Sequence, residues 1–252
     1  MKYLAVVSLF VIFAACSESP NSPDGTLPVV QNCRIMETES GGDTVVIAWD
    51  SLTVEVDGYS VWFSNTDPGD WSIIAKVEGT TTQHVATSTG YYCVKAIKGI
   101  DSSEDNSNKA NNRASFYLLS DTLTVGAIDG IRFEDAQTTT GDATDAGFAQ
   151  DFYIAKSGDT ILMYRGNSEP ATYPGGSNSL LADASGHVAP APGDAAWKNS
   201  AAVQNGADYF VELENGDFAY FMVDTVAADY VVIGSSQYQA IEGLRLFNVF
   251  VF

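Results

Sequence analysis

The sequence predicts an all-β protein built from two sandwich-like bodies, and three observations predict it. Helical periodicity is missing from almost the whole chain. Short runs of alternating β-branched and aromatic residues recur instead, and Gly, Asp, Asn and Ser break them at short intervals. An antiparallel sandwich or barrel leaves that pattern, because successive strand residues face opposite sides of a half-buried sheet. With 12% aromatic and 45% apolar residues, the chain has enough to bury that disorder is excluded.

The elements follow in chain order. Met1-Lys2 is a short positive start, and Tyr3 to Phe13 is an apolar run. That run is shorter than the roughly 20 apolar residues needed to span a bilayer core, so it reads as an export signal. The stretch "FVIFAACSES" (Phe10–Ser19) then passes through Ala14 and Ala15 to Cys16 and abruptly polar chain. Small residues followed by a cysteine resemble the lipobox of bacterial lipoproteins, with Phe13 standing where leucine is usual. The resemblance implies a signal peptide over 1–15, cleavage before Cys16, and a diacylglycerol on its thiol that anchors the chain in a membrane. Ser17, rather than Asp, after the cysteine points to the outer membrane or cell surface of a bacterial envelope. Ordinary secretion with an incidental cysteine is the alternative. Residues 16–27 are polar, carry Pro and Gly, offer no apolar face, and read as a lipidated tether.

The first body is expected over 28–118. In "TVVIAWD" (Thr44–Asp50) the residues Val45, Ile47 and Trp49 share one face, and in "GYSVWFS" (Gly58–Ser64) Tyr59, Val61 and Phe63 do. The runs "WSIIAKV", "TQHVAT" and "YYCVKAI" continue at strand spacing. Trp49 at the end of the second strand, Tyr59 and Val61 on the third, Tyr92-x-Val94-x-Ala96 on the sixth, and "SSEDNSN" (Ser102–Asn108) before the last resemble a fibronectin type III domain. The resemblance implies an immunoglobulin-like sandwich with Trp49, Tyr59 and Tyr92 in its core. It also implies a tyrosine corner, where Gly90 occupies the usual position and Tyr91 or Tyr92 would have to serve. The same register turns Cys93 away from the core, which argues against a disulfide with Cys33. His84, with no second histidine or cysteine nearby, reads as a packing or surface residue.

The second body, 119–252, is β-rich, and its residues do not assign it to a family. Its strand candidates are "DTLTVGAI", "GIRFEDA", "QDFYIAK", "TILMYRG", "DYFVELE", "FAYFMVDTV", "DYVVIGS" and "LRLFNVFVF", which suggest a second antiparallel sandwich or a jelly roll. "ENGD" (Glu214–Asp217) predicts a hairpin through a type I′ turn, and "KSGDT" (Lys156–Thr160) predicts another. Residues 170–205 are too long for a plain connection and read as an extended surface loop or a lid, with room for a helical turn in "GDAAWKNSAAVQNG". "YPGGSNS" (Tyr173–Ser179) is followed by neither a helix nor a lysine, so it reads as a turn and not as a phosphate cradle.

Composition narrows the function. The formal net charge is -20, from 32 acidic and 12 basic side chains, and repulsion from phosphate backbones argues against nucleic-acid binding. Two histidines expected in different bodies, with no Gly-x-Ser-x-Gly elbow, leave a nucleophile without a base. Clustered His and Cys for zinc are missing from the sequence. Glu134, Asp135, Asp142, Asp145 and Asp151 gather around one expected loop. Read first as solvated, the loop has one alternative, a structural calcium on Asp142, Asp145 and Asp151. Tyr164, Tyr173 and Trp197 near the long segment are candidates for a sugar-stacking platform, although single aromatics in β-proteins more often pack. The expectation is a lipid-anchored, non-catalytic binding or scaffolding protein without cofactor, with a polysaccharide or an envelope protein as partner. A carbohydrate-active hydrolase using paired carboxylates, or a self-associating surface subunit, is the alternative.

Overall fold

The computed structural model describes residues 27–134, 137–168 and 175–248. The leader, Cys16 and Tyr173 lie outside the described residues. Among the described residues, no helix is long and apolar enough to cross a membrane.

The first body has two antiparallel sheets. One joins β1 (Arg34–Ile35), β2 (Thr44–Ala48) and β5 (Thr81–Val85) in the order β1-β2-β5. The other joins β3 (Gly58–Ser64), β4 (Ser72–Val77), β6 (Tyr91–Lys98) and β7 (Asp101–Ser102) in the order β4-β3-β6-β7, with β8 (Ala110–Asn111) also pairing with β6. This is the strand order of a fibronectin type III-like sandwich. Period-two alternation turns Val45, Ile47, Val61, Val94 and Ala96 into one core, where Trp49, Tyr59 and Tyr92 are also buried. The Trp49 and Tyr59 rings meet edge to face at 5.5 Å, and the Tyr59 hydroxyl accepts the Leu52 N–H.

The tyrosine corner takes a different form. Neither Tyr91 nor Tyr92 is bonded back to upstream backbone: the Tyr91 hydroxyl accepts from Arg113, and that of Tyr92 pairs with His84 Nδ1 at 3.1 Å. A side chain at Gly90 would collide with the Phe63 ring, 2.5 Å from where its Cβ would sit, so packing excludes a corner tyrosine there. Asn108 of the "SSEDNSN" segment instead ties the sheet edges together, accepting the Cys33 N–H and donating to the Cys33 carbonyl. Cys33 and Cys93 are both free and both buried. Cys93 faces away from the core residues Tyr92 and Val94 but is covered all the same, and burial pushes its thiol up to about 12.

The second body is a sandwich of two five-stranded antiparallel sheets. One sheet contains β10 (Gly130–Glu134), β11 (Gln137–Gly141), β12 (Phe152–Ser157), β13 (Thr160–Arg165) and β15 (Ser200–Ala202), in the order β11-β10-β12-β13-β15. The other contains β9 (Ser115–Thr124), β14 (Leu180–Asp183), β16 (Asp208–Glu212), β17 (Phe218–Val226) and β18 (Tyr230–Tyr238), in the order β14-β16-β17-β18-β9. Between the sheets lies one apolar core, to which Phe152, Ile154 and Met163 contribute from one side and Val211, Phe221 and Ile233 from the other.

Three expectations are corrected. The 170–205 segment is no plain loop: it contains β14 and β15, and "GDAAWKNS" makes hydrogen-bonded turns at Asp194 and Trp197 without a helical turn. The "ENGD" hairpin has positive φ at Gly216 alone, with Leu213 and Asp217 bonded across it, so it is a three-residue loop closed by a glycine bulge and not type I′. "LRLFNVFVF" is not a sheet strand over its described part, where it makes isolated bridges from Leu244 to Gly42 and from Leu246 to Val188.

That last correction explains how the bodies join. Ile241, Leu244 and Leu246 leave the distal sandwich and are buried in the core of the first body. Phe247, facing the other way, packs with Phe210, Phe218 and Tyr220 on the outer face of the distal sheet. Gly42 donates to the Gly243 carbonyl and accepts from Arg245, extending backbone pairing across the junction. Two buried glutamines hold the segment in place. Gln237 both donates to and accepts from the Asn248 backbone, while Gln239 donates to the carbonyls of Leu246 and of Asn112.

Candidate functional site

At one end of the distal sandwich, between its two sheets, a cleft of about 380 Å³ is open to solvent. Arg132, Phe133 and Glu134 of β10 and Asp151 at the start of β12 form one wall, and Leu213, Glu214 and Asn215 of the β16–β17 hairpin with Tyr238 at the end of β18 form the other. Gly175 and Ser177 line it between them.

A close approach of three backbones builds the floor. A Cβ on Gly176 would sit 2.1 Å from the Gly166 carbonyl oxygen, and one on Gly166 would sit 2.3 Å from that of Gln150. Only glycine permits this contact, and it brings the "GSNS" segment against Asp151. Alternation does the rest. Ser177 and Ser179 point one way and donate to Asp151 Oδ1 at 2.8 and 2.9 Å, while Asp151 Oδ2 accepts the Phe133 N–H at 2.8 Å. Asn178 points the other way and donates its backbone N–H and its side-chain amide to Glu214 at 3.1 and 2.8 Å. Arg132 pairs with Glu134 at 2.6 Å along the rim.

Two of the cleft carboxylates, the buried Asp151 and the exposed Glu214, are pushed in opposite directions. Asp151 is only 7% exposed, and burial raises its carboxyl above the ordinary value despite three donors. The Asn178 hydrogen bonds hold Glu214 below its ordinary value, so it stays ionised.

Of the acidic residues singled out in the sequence, Glu134 and Asp151 line this cleft. Asp142 accepts from the Thr144 N–H and hydroxyl, and Asp145 from the Gly147 N–H, so both are occupied within their own turns. Among the described residues, no three His, Cys, Asp or Glu side chains converge to hold a metal ion, and the fold does not bring Asp142, Asp145 and Asp151 together. Tyr164 stacks on Tyr153 at 5.5 Å on the outward face of one sheet. Trp197 lies against Phe218, with the outward-facing cluster of the other sheet, and donates its indole N–H to the Ala191 carbonyl. The two aromatics do not form a common platform. Arg132, Ser177, Glu214, Asn215 and Tyr238 were not anticipated as site residues. The one legible signal was the glycine pair before alternating Ser-Asn-Ser, which had read as a simple turn.

No protein-family model matches the chain, and no curated protein matches it. Solved structures similar to it include a Fn3-like protein from Clostridium thermocellum, with 19% identity and a TM-score of 0.28 over 32% of this chain and 86% of that one. Titin kinase with its flanking domains aligns at 8% identity and a TM-score of 0.33, covering 86% of this chain and 38% of that one. The chicken CNTN1 FN1-FN3 domains align at 10% identity and a TM-score of 0.25, covering 87% and 66%. The fold assignment rests on the strand order of the chain itself.

Proposed function

We propose that the chain is a lipid-anchored, extracytoplasmic binding protein of a bacterial envelope, which holds a polysaccharide or another envelope protein without chemically altering it. Cys16 would carry the lipid, the first sandwich would act as a spacer, and the distal cleft would meet the partner. The observation that carries the non-catalytic reading is the use made of Asp151. Its carboxylate is engaged by three donors of the protein itself, holding two loops and a strand together. Among the described residues, the cleft lining contains no histidine, cysteine or lysine to serve as base or nucleophile.

A specific observation favours a second reading. One cleft holds a carboxyl raised by burial and another lowered by hydrogen bonds, and a pair set apart in this way suits an acid and its partner in glycoside hydrolysis. Incubating the protein with the glycans it binds separates the two. Bound glycan recovered intact supports the binding protein, whereas product formation abolished by Glu214→Gln establishes the hydrolase. Mass spectrometry of the mature N-terminus tests the anchor: an acylated Cys16, and release of the Cys16→Ala variant from membranes, are expected.

A further inference from the structure

We infer that the distal cleft is a saccharide site for an uncharged sugar of one or two rings; the inference rests on the binding reading above and names the ligand class. At about 380 Å³ the cleft lies at the small end of ligand pockets, large enough for a disaccharide and too small for a helix or a folded partner.

Its walls offer the two kinds of surface that a sugar presents. Phe133 on one wall and Leu213 on the other add small apolar edges, and the Tyr238 ring adds an aromatic face held in place by its hydroxyl's bond to Asp217. Flanking Phe133 on β10, Arg132 and Glu134 pair at 2.6 Å and set a donor and an acceptor side by side at the rim, within reach of sugar hydroxyls. Each retains hydrogen-bonding capacity beyond the bond between them.

Charge selects among sugars. Glu134, Asp151 and Glu214 face the cleft against a single Arg132, so a uronate, sulfate or phosphate group would be repelled. A cationic ligand is not called for either. Glu134 already has its guanidinium, and Asp151 and Glu214 are satisfied by hydroxyl and amide donors. What these acids still offer is acceptor lone pairs, and neutral hydroxyl groups fill those without a change of charge.

The test uses the full-length protein on an array of neutral, uronic-acid and sulfated glycans, followed by saturation-transfer NMR with the neutral disaccharides that bind. Neutral glycans are expected to bind, the amides of Gly175, Ser177 and Asn215 to shift on titration, and Arg132→Gln and Tyr238→Leu to weaken binding by about tenfold or more. Thermal melts of both variants confirm folding, and the wild-type amide shifts serve where a variant does not fold. Binding by no neutral glycan, or stronger binding of the anionic ones, overturns the inference. Equal binding by both variants, with no shift at those amides, overturns the site and leaves the binding reading standing. A neutral glycan that binds there and is cleaved overturns the binding reading and leaves the site standing.

Discussion

The two sandwiches close their cores in different ways. The distal one fills the space between its sheets with side chains from its own strands, such as Phe152, Ile154, Val211 and Phe221. The first one, with strands as short as β1 and β7, borrows Ile241, Leu244 and Leu246 from the far end of the chain. Sequence order and structural dependence therefore run in opposite directions: the body that comes first in the chain is completed by the last described segment. A first body completed in this way is tied to the second by more than the residues between β8 and β9.

The largest expected effect tests this asymmetry. Leu246→Ala removes a fully buried side chain and should cost about 2–5 kcal/mol, with hydrogen exchange showing lost protection in β2 and β6 while β12 and β13 keep theirs. Ile154→Ala in the distal core should give the reverse pattern. Equal loss in both bodies from either substitution would make them one cooperative unit and erase the contrast.

Gly176→Ala is next. The new methyl would overlap the Gly166 carbonyl, so about 1–3 kcal/mol or more of overpacking strain is expected in a chemical denaturation curve, with altered amide resonances at Ser177 and Ser179. Gln239→Ala would leave the Leu246 and Asn112 carbonyls without the donor that joins the bodies, costing about 1–3 kcal/mol. Its loss of protection should centre on the junction.

Acidity sharpens the comparison further, because the part-buried His84 and the buried Asp151 respond with opposite sign. Burial lowers the His84 imidazole, so its stabilising contribution is present above about pH 6.5 and is lost as pH falls through the folded value. Burial raises Asp151, so its contribution is present below the ordinary carboxylate range, near 3.9, and is lost as pH rises through its folded value. His84→Gln should flatten the acid side of the first body's stability profile, and Asp151→Asn should flatten the rise of the second body's stability toward low pH. Exchange measured per body against pH reads both. The smallest effect is expected at the exposed Lys156–Asp229 pair, where Lys156→Ala should change stability by less than about 1 kcal/mol.

Much of the first body was legible because its signals are local. Alternation put Val45, Ile47, Val61 and Val94 on the inner faces, and a tryptophan and tyrosines at strand spacing are buried where the pattern put them. The missing corner tyrosine was visible as Gly90, but its cause, the Phe63 ring, lies across the sheet. In the distal body, strong runs became β9, β10, β12, β13 and β16 to β18. The weak ones, β11, β14 and β15, are short, β11 and β15 being rich in Ser, Thr and Ala, and they pair because a neighbour offers an edge rather than because their residues demand it.

The candidate site was hardly legible at all. Asp151 carried no sign that two serines and a strand amide would meet it, and Glu214 looked like part of a turn. Tyr164 and Trp197, close in sequence to the long segment, went to different sheets, because successive connections in a sandwich pass from one layer to the other.

By itself, the order of residues determined that this chain makes strands, where most of them lie, and which side chains they bury. Those choices are made over a few neighbouring positions, by period-two patterning and by turn residues. Only the tertiary structure decided that the final segment would leave its own sandwich to complete the other, and that five loops and strand ends would enclose one cleft. Those outcomes depend on which distant surfaces remain uncovered once the strands have formed, and burying them is a property of the assembled sheets rather than of any stretch of chain.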